Sequence, residues 1–382
     1  MSAGPHCLAL IGAIPTGTSQ TLARSALARG WRVLLLGRPQ DGLRGAFDPA
    51  VEVLDIAPTH EALLAQLRHH AAGAPLLLAN ANDKYARQSA AAAATLGLPG
   101  PDPAAIEAVA DKAAQKRRLR EAGLPVGAAV EIPAGADAAA RRAALAGLRY
   151  PVVVKPAEGI SSLGVRRCAD AEEALAQLAL LAADFVGERR WSLSGTALVE
   201  EFLTGPEYCV ELFDGRYVGA LRKLKRHGED FVERGYSAEL DLAPALLDAL
   251  AEAAERAAAA AGLGWGPLHL DVILVGERPH IIDINPRIAG SFICELVRDA
   301  YGFDLVEALL AKLQGQVLPA APARRAPRAY ARVDFLLEGD PEGWDCAAPQ
   351  QLQLPGLRLR LGPQRIASRE RRAYLYLTLE PA

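Results

Sequence analysis

The amino-acid sequence predicts a multidomain protein that combines α/β and α+β lobes. Three observations indicate this fold class. The chain has 382 residues, more than a single hydrophobic core usually organises. Short apolar runs alternate with alanine-rich helical stretches near the N-terminus, whereas the C-terminal part alternates apolar and polar residues with period two. With 51% hydrophobic and 23% charged residues, the composition is that of a folded globular protein.

Residues 1–105 are predicted to form a Rossmann-like lobe around a small parallel sheet. Its expected strands are the apolar runs at 7–11, 31–36, 51–56 and 76–79. Residues 106–125 are predicted as a linking helix, which ends where Gly123 precedes Pro125, because glycine followed by proline is a helix stop signal.

Three further parts complete the predicted organisation. Residues 126–200 are expected to form a compact α+β lid. Residues 201–320 combine strands with an alanine-rich helix over 244–261, and residues 321–382 are expected to form a small antiparallel unit after a proline-rich linker. The expected strands lie at 128–132, 151–155, 208–213, 268–275, 280–284, 330–337, 357–361 and 373–379.

The charge balance and the cysteines narrow the class of partner. Lys and Arg total 42 against 45 Asp and Glu, so the net charge of −3 offers no general field for nucleic acid or an anionic membrane. The five cysteines are scattered without a metal-binding spacing, as is typical of thiols in a reduced cytosol. The apolar N-terminal stretch breaks at Gly12 and Pro15, too soon for a signal core. We therefore expect a cytoplasmic protein with neither a nucleic-acid nor a membrane partner.

Residues 268–292 carry the densest set of candidate functional side chains. Two apolar runs flank a Gly-Glu-Arg-Pro turn, which predicts a β-hairpin. Counting outward from the middle of that turn places Asp271 opposite Asp283 and His269 opposite Asn285, all on one face. Facing carboxylates repel each other, so a cation is expected between them, and oxygen ligands of this kind suit Mg²⁺ better than zinc. A hydrated polar face of the hairpin is the alternative.

Further candidates for phosphate binding lie before and after this hairpin in the sequence. Lys155 ends an apolar strand and precedes a flexible loop that could offer N–H and hydroxyl groups to phosphates. The loop residues concerned are Gly159, Ser161, Ser162 and Gly164. Arg287, just after the hairpin, could bind phosphoryl oxygens bidentately. A surface lysine followed by an ordinary turn is the alternative.

Weaker signals come from two other segments. A strand that ends at Glu200 and Glu201 leads through a Gly-Pro bend to Glu207, and this stretch could edge a cleft for an adenine and a ribose or simply be exposed. Residues 12–19 have the glycine spacing of a phosphate-binding P-loop, but Thr18 stands where the lysine belongs, so we predict a strand-to-helix turn. The segment also lacks the GxGxxG pattern, which argues against an NAD enzyme.

Five segments, taken in order, resemble the ATP-grasp superfamily of ATP-dependent carboxylate–amine ligases. They are DKAAQKRRLREAGLPV, YPVVVKPAEGISSLGV, ALVEEFLTGPE, LHLDVIL and IIDINPRIAG. The resemblance covers nearly the whole chain. It implies an ATP-grasp fold with an N-terminal Rossmann-like pre-ATP-grasp domain, a mobile lid, a β-rich C-terminal unit, and ATP bound between the lid and the third region.

The resemblance also implies a role for each candidate residue. ATP would be bound by Lys112, Lys155, Gly159, Ser161, Ser162, Gly164, Glu200, Glu201, Leu203 and Glu207, with adenine near Glu200 and the Leu203 backbone and the ribose at Glu207. The metal ligands would be Asp271, Asp283 and Asn285, which would hold one or two Mg²⁺ ions, and Mn²⁺ could substitute. The catalytic group would be Arg287, His269 and Lys155. His269 stands where related ligases can carry arginine, and Asp283 replaces the glutamate common at its position.

In such a ligase a substrate carboxylate attacks the γ-phosphate of ATP, and an amine then displaces phosphate from the acylphosphate to form an amide. The chain looks most like the L-amino-acid (dipeptide) ligases, which implies amino-acid substrates near Lys223, Glu233 and Ser291 and a possible homodimer. Two alternatives stay open. One is a biotin-carboxylase-like or purine-pathway enzyme that uses bicarbonate or formate, and the other is an ATP-binding regulatory protein with a degenerate site.

Overall fold

The computed structural model describes residues 5–15, 17–159, 164–186, 195–225, 231, 233–239, 242–318, 325–337, 357–366 and 371–379. Within them the chain forms one parallel sheet near the N-terminus and two antiparallel sheets after it. The predicted mixture of α/β and α+β lobes is therefore confirmed.

The first lobe is a parallel sheet covered by helices on both faces. Its elements are β1 (Cys7–Ile11), α1 (Thr18–Ala28), β2 (Arg32–Gly37), β3 (Glu52–Asp55), α2 (His60–Ala71), β4 (Leu76–Asn80) and α3 (Ala86–Leu96). The strand order is β3-β2-β1-β4. Leu8 and Leu10 of β1 face one hydrophobic core, and Ala9 and Ile11 face another, so the central strand is buried on both sides.

Two short helices, α4 (Pro103–Val109) and α5 (Lys112–Glu121), link the first lobe to the lid. The sequence predicts a single helix here. The structure divides it because the Asp111 carboxylate accepts from the backbone N–H groups of Ala113 at 2.7 Å and Ala114 at 2.9 Å, which caps a new helix. This cap sets the direction of α5 and of Lys112 at its first position.

The lid is an antiparallel sheet with two helices. Its elements are β5 (Ala129–Pro133), α6 (Ala138–Leu145), β6 (Val152–Pro156), β7 (Arg166–Cys168), α7 (Ala171–Val186) and β8 (Thr196–Glu201). The strand order is β5-β8-β6-β7. The lid has its own hydrophobic core, which includes Ile132, Leu145, Val154 and Leu178. A lobe with its own core can move as a unit.

The third region is built on an eight-stranded antiparallel sheet. Its elements are β9 (Glu207–Phe213), β10 (Arg216–Lys225), β11 (Glu233–Ala238), α8 (Pro244–Ala260), β12 (Pro267–Val275), β13 (Arg278–Asn285), α9 (Ile293–Tyr301), α10 (Leu305–Leu313), β14 (Tyr330–Leu337), β15 (Leu357–Ile366) and β16 (Arg371–Leu379). The strand order is β13-β12-β9-β10-β11-β14-β16-β15. The three C-terminal strands are antiparallel as predicted, but they extend this sheet through β14 rather than forming a separate unit.

One hydrophobic core joins the first lobe to the central sheet. It runs from Leu10 in β1 through Val210 in β9 to Leu296 in α9, all fully buried. The first lobe and the third region therefore pack as one body. Among the described residues, no helix combines the length and the apolar character needed to cross a lipid bilayer.

Candidate active site

The hairpin of β12 and β13 brings the predicted acidic set together. Asp271 pairs with Asp283, and His269 pairs with Asn285, as the sequence predicts. The side chains of Asp271 and Asp283 are 18% and 14% exposed, so both are largely buried rather than on an open face. The hydrated polar face considered above does not describe this arrangement.

The predicted pairing is reached by a different route from the one expected. Val275 pairs with Arg278, so the turn holds two residues and is tighter than the count had assumed. The register then shifts by one residue beyond Val272, which leaves Ile282 as the extra residue of a β-bulge. Bulges often re-aim a side chain near a functional site, and this one returns the carboxylates to opposite positions.

Asp271 lies between two cationic groups. Lys223 Nζ is 2.9 Å from Asp271 Oδ1, and His269 Nε2 is 3.5 Å from the same oxygen. Burial alone would raise the pKa of Asp271, but the Lys223 ammonium and then His269 outweigh it and hold that pKa well below its usual range. The carboxylate is therefore ionised at neutral pH and can act as an oxygen ligand.

Asp283 is linked to the lid by Lys112. Lys112 Nζ lies 3.0 Å from Asp283 Oδ2 and donates to the carbonyl oxygen of Gly159 at 3.2 Å. Burial alone would lower the pKa of Lys112, but the Asp283 carboxylate more than offsets this effect and raises that pKa above its ordinary value, so the ammonium stays charged. The other carboxylate oxygen, Asp283 Oδ1, is buried, and no described residue offers it a hydrogen bond. A buried oxygen without a partner fits a position beside a bound cation.

Arg287 and Asn285 meet a carboxylate from the first lobe. Arg287 donates to Asp83 Oδ2 through Nε at 2.9 Å and Nη2 at 2.7 Å. When the Asn285 amide is oriented to satisfy both of its polar atoms, its nitrogen donates to the same carboxylate at 3.1 and 3.3 Å. Burial would lower the pKa of Arg287, but Asp83 raises it. Asp83 therefore neutralises the residue expected to bind phosphoryl oxygens.

His269 has a buried acidic partner on the neighbouring strand. Its Nδ1 is 2.5 Å from Glu211 Oε1, and both side chains are almost inaccessible. Burial would lower the pKa of His269, but Glu211 and then Asp271 raise it, which favours an imidazolium. The Cys209 thiol donates to Asp271 Oδ1 at 3.9 Å, and burial holds its pKa well above the usual value. Without a metal, Cys209 is thus a neutral thiol that lies within reach of His269 and Asp271.

Lys155 and Glu200 form a buried triad with Lys116. Lys155 Nζ is 2.8 Å from Glu200 Oε2, and Lys116 Nζ is 3.3 Å from Glu200 Oε1. Burial would raise the pKa of Glu200, but Lys155 and then Lys116 lower it. The triad joins β6 and β8 of the lid to α5, and Glu200 holds two lysines rather than standing free.

Lys223 is the centre of a second charged group. It contacts Glu207 Oε1 at 2.9 Å and Glu233 Oε1 at 3.6 Å in addition to Asp271. Lys225 also pairs closely with Glu207. Burial would raise the pKa of Glu207, but Lys223 and then Lys225 lower it. The predicted ribose contact and two predicted substrate-side residues thus share one network with the predicted metal ligand.

The remaining predicted residues are more scattered. Glu201 is exposed, and Leu203 is half-buried beside Gly127. Gly159 and Gly164 lie at the two ends of the predicted phosphate loop, while Ser161 and Ser162 lie outside the described residues. Ser291 sits after the hairpin, against the first lobe.

Asp83, Glu211 and Lys116 are the site residues that the sequence reasoning missed. Asp83 follows β4 at the carboxyl edge of the parallel sheet, where ligand-binding residues of such sheets collect. Glu211 is a charge in the middle of the apolar strand YCVELF, and a buried charge needs a partner. Those two signals were available in the sequence. Lys116 looks like an ordinary solvated helix residue, and only the structure shows its burial.

Side-chain and loop groups, rather than another strand, cover the outer edge of β13. Gln115 of α5 donates to the Ile284 carbonyl at 2.9 Å and accepts from the Ile284 N–H at 3.0 Å. The Ile281 N–H donates to the Pro125 carbonyl at 3.1 Å. The linking segment is therefore fastened directly to the strand that carries Asp283 and Asn285.

Comparison with known proteins identifies the family. Residues 148–295 match the model of the ATP-grasp domain. A D-alanine–D-alanine ligase of Gloeobacter violaceus is 31% identical over 228 residues, which cover 56% of this chain and 72% of that ligase. The chain belongs to the ATP-grasp family, which confirms the predicted resemblance.

Two further comparisons describe what the chain is similar to within that family. Carnosine synthase 1 of Homo sapiens is 29% identical over 252 residues, which cover 62% of this chain and 30% of that protein. The solved structure of an L-amino acid ligase from Bacillus licheniformis superposes with a TM-score of 0.78 at 20% identity, covering 98% of this chain and 94% of that one. This likeness confirms the ATP-grasp fold. The chain spans only 24% to 42% of the length of the first curated relatives that it matches.

Proposed function

We propose that the protein is an ATP-dependent carbon–nitrogen ligase. It activates the carboxylate of an amino acid as an acylphosphate and joins it to an amine. The observation that carries this proposal is the hairpin, where Asp271 faces Asp283 next to Asn285. Lys112 of α5 and Lys223 of β10 contact these carboxylates, and Arg287, just after β13, contacts Asp83 beside Asn285. Acidic side chains that can bind a metal ion, with cationic side chains near them, suit phosphoryl transfer, because the metal and the cations stabilise negative charge on the phosphoryl oxygens.

The donor atoms fit a hard divalent cation. Asp271, Asp283 and Asn285 would hold one or two Mg²⁺ ions, and Mn²⁺ prefers the same oxygen ligands. The unpartnered Asp283 Oδ1 supports this assignment. When bound, Mg²⁺ neutralises charge on phosphoryl oxygens.

ATP would lie between the lid and the third region. In this proposal the ammonium groups of Lys155 and Lys112 bind phosphates. Lys155 of β6 contacts Glu200, and Lys112 connects Asp283 to the start of the loop at Gly159. In this proposal Ser161, Ser162 and Gly164 complete the phosphate loop, and the backbone of Leu203, with Glu201 beside it, borders the adenine. Glu200 would keep Lys155 in place, and Glu207 would offer the ribose a carboxylate that it shares with lysines.

Arg287 and His269 would act on the reacting groups. The substrate carboxylate attacks the γ-phosphorus, the bond to the bridging oxygen of ADP breaks, and Arg287 stabilises the charge on the transferred phosphoryl group. Arg287 must share or exchange its Asp83 contact to do so, since Asp83 takes its Nε and Nη2 donors. The protonated His269 would supply positive charge near Asp271, oriented by Glu211. The amine then attacks the acyl carbon, and phosphate leaves.

The substrates would meet the third region and the loop after the hairpin. In this proposal Lys223, Glu233 and Ser291 line the substrate side. Lys223 and Glu233 belong to the charged network beside Asp271, and Ser291 lies in the loop beyond Arg287. Amino acids as both substrates, a homodimer and a cytoplasmic location, where ATP is supplied, complete the proposal.

A product screen tests this function. Purified protein would be incubated with ATP, Mg²⁺ and pairs of amino acids, phosphate release would be followed, and products would be identified by mass spectrometry. We expect ADP, phosphate and a dipeptide for at least one pair. Turnover that depends on bicarbonate or formate instead would favour a carboxylase-type reaction. ATP binding without any ADP formation across all carboxylate–amine pairs would disprove the ligase.

A further inference from the structure

The glycine turn of the first lobe contacts the loop after the metal hairpin. Helix α1 begins at Thr18, whose backbone N–H donates to the carbonyl oxygen of Ser291 at 2.8 Å. The Thr18 hydroxyl donates to the same oxygen at 3.3 Å, and the side chain is fully buried. In a P-loop the first N–H groups of the helix bind phosphate. Here the first donor of α1 binds a backbone oxygen of residues 286–292, which we call the substrate-side loop.

Gly17 permits this close approach. Its φ of 60° lies in the left-handed region, which favours glycine. A Cβ atom at this position would lie 1.7 Å from the Ser291 oxygen. Any side chain at position 17 would therefore push the substrate-side loop away from α1.

The substrate-side loop needs external support for its own shape. Ser291 has a φ of 55°, a left-handed conformation that costs free energy for a residue with a side chain. Such a conformation persists where the surroundings over-determine it. The Cys294 thiol donates to the Ala289 carbonyl at 3.6 Å, and the Thr21 hydroxyl of α1 donates to Glu295 at 2.7 Å just beyond the loop. The contact with Thr18 supports Ser291 itself.

We propose that Gly17 and Thr18 are positioning residues that hold the substrate-side loop in place, and that the glycine turn is not a phosphate site. This inference rests on the proposed function, in which Arg287 and Ser291 of that loop face the reacting groups. The loop leaves β13 directly after Asn285, so a shift of the loop moves the Arg287 guanidinium relative to the acidic face. A displacement of about 1 Å at a reacting centre can lower the rate on the order of 10²-fold.

Gly17→Ala tests the role, and Gly30→Ala is its matched control. Gly30 follows the other end of α1 and has a φ of 72°, but a Cβ there would meet nothing within 4 Å. Both variants place a Cβ at a residue of positive φ, but Gly17 also has a ψ of −126°, outside the left-handed helical region, so Gly17→Ala adds backbone strain of its own to the displacement of the substrate-side loop. Thr18→Val and Thr18→Ser form a second pair that folds more readily, because valine removes only the hydroxyl donor and serine keeps it.

Hydrogen–deuterium exchange measures the loop without any need for turnover. We expect the amides of 287–293 to exchange about tenfold faster in Gly17→Ala, less so in Thr18→Val, and at the wild-type rate in Gly30→Ala and Thr18→Ser. If Gly17→Ala and Gly30→Ala exchange equally at 287–293, the positioning role is wrong.

Kinetics and ATP binding separate this role from the alternatives. In Gly17→Ala we expect kcat/KM for the carboxylate and the amine to fall on the order of 10²-fold, while the Kd for ATP is unchanged. A matching loss of ATP affinity would mean that the turn binds phosphate after all and would overturn the inference. If the wild-type protein forms no amide with any substrate, the proposed function fails, and the exchange experiment still decides whether Gly17 and Thr18 position the loop.

Discussion

Replacing Glu200 by glutamine should destabilise the protein strongly, because one carboxylate compensates two buried lysines. Glu200, Lys155 and Lys116 are 6%, 6% and 4% exposed. Glutamine keeps the shape of the side chain and removes its charge. Removing one partner of a buried ion pair costs about 3–5 kcal/mol, since a charge is left uncompensated in a low dielectric. We expect the free energy of unfolding of Glu200→Gln to fall by at least that amount.

Lys116→Met is the matched comparison. Burial lowers the pKa of Lys116 although Glu200 opposes this, so its ammonium is incompletely compensated even in the native protein. Methionine removes that charge and leaves the pair of Lys155 and Glu200 intact. Lys116→Met also removes the hydrogen bond that Lys116 Nζ donates to the Val126 carbonyl at 2.8 Å, so this carbonyl loses its donor. An unsatisfied buried acceptor costs about 1–3 kcal/mol, so Lys116→Met should be the milder variant.

Urea unfolding followed by circular dichroism measures both free energies. We expect the double variant to recover part of the loss seen in Glu200→Gln alone. Because the folded-state pKa of Glu200 is lowered from 4.5, its contribution is present above that pH and is lost as the pH falls through the folded-state value. Glu200→Gln should lack this acid dependence. Equal losses in the two single variants would refute the reasoning, since Glu200 would then not be the group that neutralises both lysines.

Three further predictions follow from the described contacts. Asp283→Ala should lower turnover by about 10²-fold or more and raise the Mg²⁺ concentration needed for half-maximal turnover, because it removes a metal ligand. The circular dichroism spectrum should stay unchanged, because Asp283 is not a core side chain. Asp83→Asn should tighten product inhibition by phosphate about tenfold, since Arg287 would lose its competing carboxylate. Burial raises the pKa of Tyr301 to about 12, and its hydroxyl donates to the Ala220 carbonyl at 2.6 Å. Tyr301 should therefore contribute a fall of about 1.4 kcal/mol per pH unit to the free energy of unfolding between its ordinary pKa of about 10 and its folded-state value.

Each of these three predictions has a control variant or an outcome that would contradict it. Glu277→Ala changes an exposed residue in the turn of the same hairpin and should leave turnover intact. An unchanged inhibition constant for phosphate in Asp83→Asn would mean that Asp83 does not compete for Arg287. Tyr301→Phe should reduce the alkaline slope of stability by about 1.4 kcal/mol per pH unit, while the raised pKa values of Tyr217 and Tyr85 keep the remainder. The same slope in both proteins would mean that Tyr301 does not contribute to it.

Local chemistry predicted the acidic face of the hairpin correctly. The predicted pairing of Asp271 with Asp283 is right because two departures from the expected hairpin cancel: the turn is tighter than the count assumed, and a bulge then shifts the register by one residue. The bulge at Ile282 could not be predicted, because a one-residue insertion leaves no periodic signal. The division between α4 and α5 was a local feature that the helical pattern concealed, although Asp111 is a typical N-cap residue.

Contacts between lobes were beyond the reach of the sequence. Asp83 lies 204 positions before Arg287, and Gln115 lies 169 positions before Ile284. No periodicity relates residues so far apart, because their meeting depends on how the first lobe packs on the central sheet. Glu200 was expected beside adenine from its place at a strand end, and the buried lysines that enclose it come from two different elements.

The amide of Gln115 has a consequence for assembly. A sheet edge with free N–H and C=O groups is a place where a second chain can add a strand. At the β13 edge of the eight-stranded sheet, Gln115 and Pro125 already satisfy the backbone of Ile284 and Ile281. A second copy that joined this sheet by strand addition at β13 would have to displace the segment carrying Lys112 and Lys116. Self-association through that edge would therefore disrupt the proposed nucleotide side of the site, and a dimer compatible with the proposed activity must use another surface.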